Sequence, residues 1–150
     1  MIAWHYTVAD QFESILVDHA IIPATAGVDT SREKPAVWFS RRETWEPTAT
    51  KGMLDRTTGH RRDATPEEMH EFGMVRIGVD ASGLTPWLVH RNKSGITARV
   101  ASSLVTSAVA VGSNPGDWFV SYEPVPRERW LRVERWDGAE WVDLEQEKTS

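Results

Sequence analysis

Hydrophobic and polar positions alternate at the start of the chain and then change period. Ile2 to Tyr6 alternates as a strand, and Phe12, Ile15, Leu16 and His19 then recur at helical spacing, which predicts an amphipathic helix over 8–19 with one inward face. Thr7 stands where it can cap that helix, with Asp10 three residues on in the acceptor place of a capping box. Ala20 to Pro23 leaves the helix as a short apolar run, and the Thr-, Gly-, Asp- and Ser-rich stretch 24–35 reads as a loop. Ala36 to Ser40 is apolar and aromatic enough for a short strand. Over 43–53 any helix is confined to beginning near Pro47. The polar, Arg-rich segment 54–64, with Thr57-Thr58-Gly59 inside it, reads as the longest irregular loop of the chain, and long loops in small domains often carry function.

The second half repeats the mixture. Thr65-Pro66-Glu67-Glu68 is a helix start, with Thr65 as cap and Pro66 in the first helical position. Met74 to Val79 is a strand ended by 80–83, residues 87–95 fit no single period, and Ala98 to Val109 reads as a helix weakened by its Ser, Thr and Val content. Trp118 to Tyr122 and Leu131 to Arg135 read as strands joined by Glu123-Pro124-Val125-Pro126, and Trp141 to Leu144 closes a terminal hairpin. In that hairpin Asp137-Gly138 supplies the turn and Trp136 faces Trp141. The expectation is a mixed α+β fold in one domain over 1–150, its strands mostly joined without long helices.

Composition narrows the field. With 150 residues and 40% hydrophobic content the chain can bury one core. No run approaches the length of a membrane span, and the amino terminus lacks the basic-then-apolar pattern of a secretory signal, so a cytoplasmic protein without membrane contact is expected. The absence of cysteine removes disulfides, thiolate catalysis and thiolate metal sites. A formal charge of −5 argues against a protein that coats nucleic acid, although Arg41-Arg42 and the cluster Arg56, His60, Arg61 and Arg62 leave room for a local anion site. Eight tryptophans imply a thick aromatic core or an aromatic-lined cleft.

The candidate chemistry starts at His5. Burying an imidazole without a partner costs a few kcal/mol, so His5 on a buried first strand needs a hydrogen bond or a ligand. The five histidines lack HExxH-type spacing, which argues against a metal enzyme. No GxxxxGK[ST], GxGxxG or GxSxG motif occurs.

His5-Tyr6-Thr7 on a first strand, the following helix leading to Ile21-Ile22-Pro23, and Val37-Trp38-Phe39-Ser40 after a polar loop together resemble the front half of ADP-ribosyltransferase-like proteins. The likeness spans about the first forty residues. It is similar to the opening of the DNA-modifying ADP-ribosyltransferase toxins and, more loosely, of the NAD-dependent RNA 2′-phosphotransferases. The passage from Trp118 through Pro126 to Trp130 also resembles the strand-then-proline passage after the catalytic acid of the toxins.

The resemblance implies split small sheets around a cleft holding bent NAD, with ADP-ribose passed to a protein or nucleic-acid acceptor. It carries over to His5 a hydrogen bond to the adenosine-side ribose, and to Thr7 either a nicotinamide contact or only the helix cap. Tyr6, Trp38 and Trp45 are all eligible to stack on nicotinamide, and Arg41 and Arg42, directly after Ser40, to anchor the pyrophosphate. Nicotinamide would leave through an oxocarbenium-like state assisted by a carboxylate. The expected position of that acid falls at Trp118, so Asp117 or Glu123 serves after a slip of register, or neither does. In the last case the scaffold is a non-catalytic interaction protein of immunity or inhibitor type.

Overall fold

The computed structural model describes residues 1–25, 28 and 30–144. In chain order the elements are β1 (Ile2–Val8), α1 (Ala9–Asp18), β2 (Ala20–Ile21), β3 (Val37–Ser40), β4 (Gly52–Leu54), β5 (Arg61–Asp63), α2 (Pro66–Phe72), β6 (Met74–Asp80), β7 (Thr85–Pro86), α3 (Trp87–Lys93), α4 (Ala98–Ala110), β8 (Trp118–Ser121), β9 (Val125–Pro126), β10 (Arg132–Trp136) and β11 (Trp141–Asp143). The fold is α+β. Seven strands form one antiparallel sheet in the order β11-β10-β6-β1-β3-β8-β7, and β2-β9 and β4-β5 form two small pairs.

The large sheet has a seam. β1 pairs with β6 along its whole length, from Ile2 opposite Asp80 to Val8 opposite Met74, whereas β1 and β3 share a single register pair, Trp4 with Ser40. On the far side β3 runs fully paired with β8. The sheet therefore consists of a β11-β10-β6-β1 half and a β3-β8-β7 half that touch at one end.

Strand alternation gives the sheet two unlike faces. One is aliphatic: Ala3, Ile77, Val79, Val37 and Phe39 form the main core with Ile15 of α1, Ile21 and Val125. The other is aromatic. Gly78 belongs to this face because a Cβ there would lie 2.7 Å from the Trp4 indole, so the glycine is the space that the ring occupies.

Several expectations shift at the element scale. The first strand runs two residues farther than expected, so α1 is capped by Val8, with no side-chain cap. Thr7 is neither cap nor capping-box donor; its hydroxyl is buried and donates to Gln11 Oε1 at 3.1 Å. Continued pairing with β6 keeps Thr7 in the ladder, and this overrides the local capping signal. His19, expected on the inward face, ends the helix in the left-handed conformation at φ 55° and is exposed. Residues 43–53 form no α-helix: they hold a 3-10 turn at Pro47–Ala49 and the start of β4. The segment 54–64 is not an irregular loop: β4 and β5 form a hairpin, with Asp55 Oδ1 accepting from the amides of Thr57 and Thr58 and Gly59 at φ 72° closing the turn. Residues 87–93 are helical. Of the loop expected over 24–35, residues 26, 27 and 29 lie outside the described residues.

Other local readings hold. Thr65 and Glu68 form the reciprocal capping box of α2, with Pro66 at its start. Trp136 pairs with Trp141 across the terminal hairpin, ring centroids 5.5 Å apart.

Candidate functional site

A cleft of about 520 Å³ opens on the aromatic face at the seam. β1 gives it Trp4 and Tyr6, β3 gives Trp38 and Ser40, and Trp118 stands at the start of β8. His5 and Phe39, whose side chains belong to the opposite face with Ile77, border it through the seam. The turn at Glu46–Thr50, and Leu104 and Ala108 of α4 with Val111 directly after it, close two further sides. Asp63 of β5 reaches the wall as well. α4 is held by small side chains: Ala101 and Ala108 bury against Trp87 and Trp118.

His5 occupies the gap between the half-sheets. Its Nδ1 lies 2.9 Å from the carbonyl oxygen of Trp38, which only accepts, so Nδ1 carries the proton and Nε2 of the neutral ring is left as an acceptor. Burial holds the imidazole pKa below its ordinary value, against the opposing effect of that hydrogen bond. The ring therefore replaces part of the ladder that β1 and β3 do not form, and it stands edge-on to Phe39 at 5.8 Å.

Glu46 is the principal charged group of the cleft, and sequence reasoning missed it. It is 5% exposed and caps the 3-10 turn. Ser40 Oγ at 2.9 Å and Trp118 Nε1 at 3.1 Å donate to Oε1; the Thr48 amide at 3.1 Å, the Thr48 hydroxyl at 2.7 Å and the Ser113 hydroxyl donate to Oε2. Burial alone would raise its pKa, but the hydroxyl and amide donors outweigh it and hold the carboxyl below the usual range. The one signal in the sequence was an acid directly before the proline of a turn.

The other expected residues divide. Tyr6 and Trp38 line the cleft, and Trp45 does not: it stacks with Trp141 at 6.5 Å in a second aromatic group behind Tyr6. The Tyr6 hydroxyl donates to the Arg42 carbonyl, and burial raises its pKa against the pull of Arg76. Thr7 lies outside the cleft lining. Arg42 reaches away to the Gly112 carbonyl at 2.7 Å. Arg41 pairs with Asp117 at 2.6 Å and borders a neighbouring hollow that it shares with Arg76, Arg132 and Trp4. Asp117 and Glu123 are absent from the cleft wall, Asp117 engaged by Arg41 and Glu123 exposed in a turn after β8.

Two polar assemblies behind the cleft were also missed. Arg76, in the middle of β6, lies between the rings of Trp4 at 3.8 Å and Trp141 at 4.5 Å. It pairs with buried Glu134 at 2.7 Å, which also takes Arg132 at 2.8 Å, and donates to the Glu43 carbonyl. A charge at the centre of a buried strand must be paired, which is the signal that could have exposed it. His90 of α3 is 2% exposed, lies 2.7 Å from the Tyr122 hydroxyl and supports the Trp38 ring edge-on at 5.1 Å.

No protein-family model, curated protein or solved structure matches the chain. No helix among the described residues is long and apolar enough to cross a membrane.

Proposed function

We propose that the seam cleft binds NAD and that the protein transfers ADP-ribose to a macromolecular acceptor, as an enzyme of ADP-ribosyltransferase type acting as a toxin or similar effector. The observation that carries the reading is the convergence of His5, Tyr6, Trp38 and Ser40 on one cleft, where the sheet divides into two halves. The resemblance implies such a division and such a cleft. In this reading the neutral His5 ring, with Nε2 left as an acceptor, is the partner for a ribose hydroxyl, and Tyr6 and Trp38, which line the cleft, are the aromatic groups for a nicotinamide. Trp4 borders both this cleft and the arginine-lined hollow beside it, so a dinucleotide could lay its ring in the first and its pyrophosphate against the second.

The chemistry is departure of nicotinamide with the electron pair of its bond to ribose C1, followed by attack of the acceptor's nucleophile, which loses its proton. The test is incubation of the protein with NAD, with released nicotinamide followed by chromatography, beside His5→Ala, Asp117→Ala and Glu123→Ala. Release that is lost in His5→Ala and in one acid variant supports the enzyme and picks its acid. No release and no NAD-dependent rise in melting temperature overturns it.

One observation favours a second reading. Neither Asp117 nor Glu123 lines the cleft, and the carboxylate of Glu46, which does, is taken up by Ser40, Thr48, Ser113 and Trp118. A cleft in which neither expected acid is placed fits a non-catalytic interaction protein. Binding of NAD without turnover in the same assay selects it.

A further inference from the structure

The cleft wall has a charge pattern that its shape does not require. Glu46 and Asp63 line it, and no lysine or arginine does among the described residues. His5 is neutral for the reason given above, and the remaining wall is aromatic, aliphatic or hydroxylic. Glu46 spends all of its near hydrogen-bonding directions on Ser40, Thr48, Ser113 and Trp118. It has little capacity left to accept a further proton or hydroxyl donor, but those donors leave its net charge in place. Inside a cleft partly closed to water, one fixed negative charge acts over several ångströms. Trp38, Trp118 and Tyr6 line the same cleft, and an aromatic ring attracts a cation through its face.

We infer that the cleft selects a planar cationic heteroaromatic ring, a pyridinium, over a neutral or anionic ring of the same shape, and that Glu46 is the residue that imposes this choice by its field and not by a direct hydrogen bond. The inference rests on the NAD reading only for the choice of ring. The role given to Glu46 is separate from that of the acid sought at Asp117 or Glu123.

Three probes of one shape and different charge test it: 1-methylnicotinamide, a cation; nicotinamide, neutral; and nicotinate, an anion. Each is titrated into the full chain, and the NMR shift of the Trp118 indole N–H, which donates to Glu46, reports occupancy. The cation is expected to bind at least about fivefold more tightly than nicotinamide, and nicotinate most weakly. Equal binding of cation and neutral ring overturns the inference, whatever the variants do. Glu46→Gln should abolish the gap, with a dispersed indole spectrum as the check on folding. Asp63→Asn, at an exposed strand position, should keep most of it. Loss of the gap in Asp63→Asn overturns the assignment to Glu46, and it does so even when Glu46→Gln fails to fold. Cation preference without nicotinamide release from NAD leaves this inference standing and removes the transferase, whereas release without preference does the reverse.

Discussion

Glu46 shows how one side chain organises a site at the residue scale. Its partners come from β3, the following turn, the segment after α4 and the start of β8, so the carboxylate joins four pieces of chain around the cleft. Glu46→Ala strands the donors of Ser40, Ser113 and Trp118. Each buried donor left unmet costs about 1–3 kcal/mol, so the variant should lose about 3 kcal/mol or more in denaturant unfolding. The buried histidines give a pH dependence of definite sign. Burial lowers the pKa of both His5 and His90 from 6.5. The unfolded chain therefore takes up protons below about pH 6.5 that the folded chain refuses, and stability is lost as pH falls from there toward the lowered folded values. Melting temperature should drop between pH 7.5 and 5.5, and His90→Asn should shrink that drop. A pH-independent difference between the two proteins would contradict the linkage.

Elements were legible where local chemistry and packing agree, and obscure where they compete. Thr65, Pro66 and Glu68 spell the start of α2, and the reciprocal capping bonds between Thr65 and Glu68 lie within one turn of chain, with Arg62 of β5 adding an ion pair to Glu68. Thr65→Ala should therefore cost about 1 kcal/mol, measured by chemical denaturation, with no effect on ligand binding. Thr7 carries a similar signal, but its backbone is claimed by β6, where its partner is Val75, far along the chain and announced by no local pattern. The 54–64 hairpin was hidden for the converse reason. Its strands are only three residues long and mostly exposed, so they lack the apolar alternation that marks a half-buried strand. In the cleft, His5, Tyr6, Trp38 and Ser40 were legible because they sit beside one another on two strands. Glu46 was not, since its importance arises from partners as distant as Trp118. The glycine at position 78 makes a further element-scale test. Gly78→Ala drives a methyl to within 2.7 Å of the Trp4 ring, so β1 and β6 must shift. A loss of about 1–3 kcal/mol is expected, with altered near-ultraviolet circular dichroism from the displaced indole.

Across the whole molecule, the two sheet faces divide the labour. The aliphatic face with α1 supplies burial, and the aromatic face holds the cleft together with the Trp4-Arg76-Trp141 stack. Arg76 links β6 to β10 through Glu134, to β1 through the Tyr6 hydroxyl at 3.4 Å, and to the segment before Glu46 through the Glu43 carbonyl. Arg76→Ala removes all three links and leaves Glu134 buried with only Arg132 beside it. Such a break costs about 3–5 kcal/mol, so the variant should unfold at markedly lower denaturant and weaken any cleft ligand through loss of the Tyr6 and Glu43 anchors. An unchanged midpoint would mean that neither the ion pair nor the stack of Arg76 on Trp4 and Trp141 carries the cohesion.

The single pair joining β1 to β3 has a mechanical meaning. Every other long boundary in the sheet is stitched by several consecutive pairs, so tension or thermal agitation across the molecule finds least resistance along this one line, where an imidazole does the work of a missing ladder. Proton exchange at the backbone amides facing that line should outpace exchange elsewhere in the same strands, and removal of His5 should speed it further. A pyridinium seated there would act as a wedge and a weld at once, prying nothing open while fastening the two halves that the backbone alone leaves barely sewn.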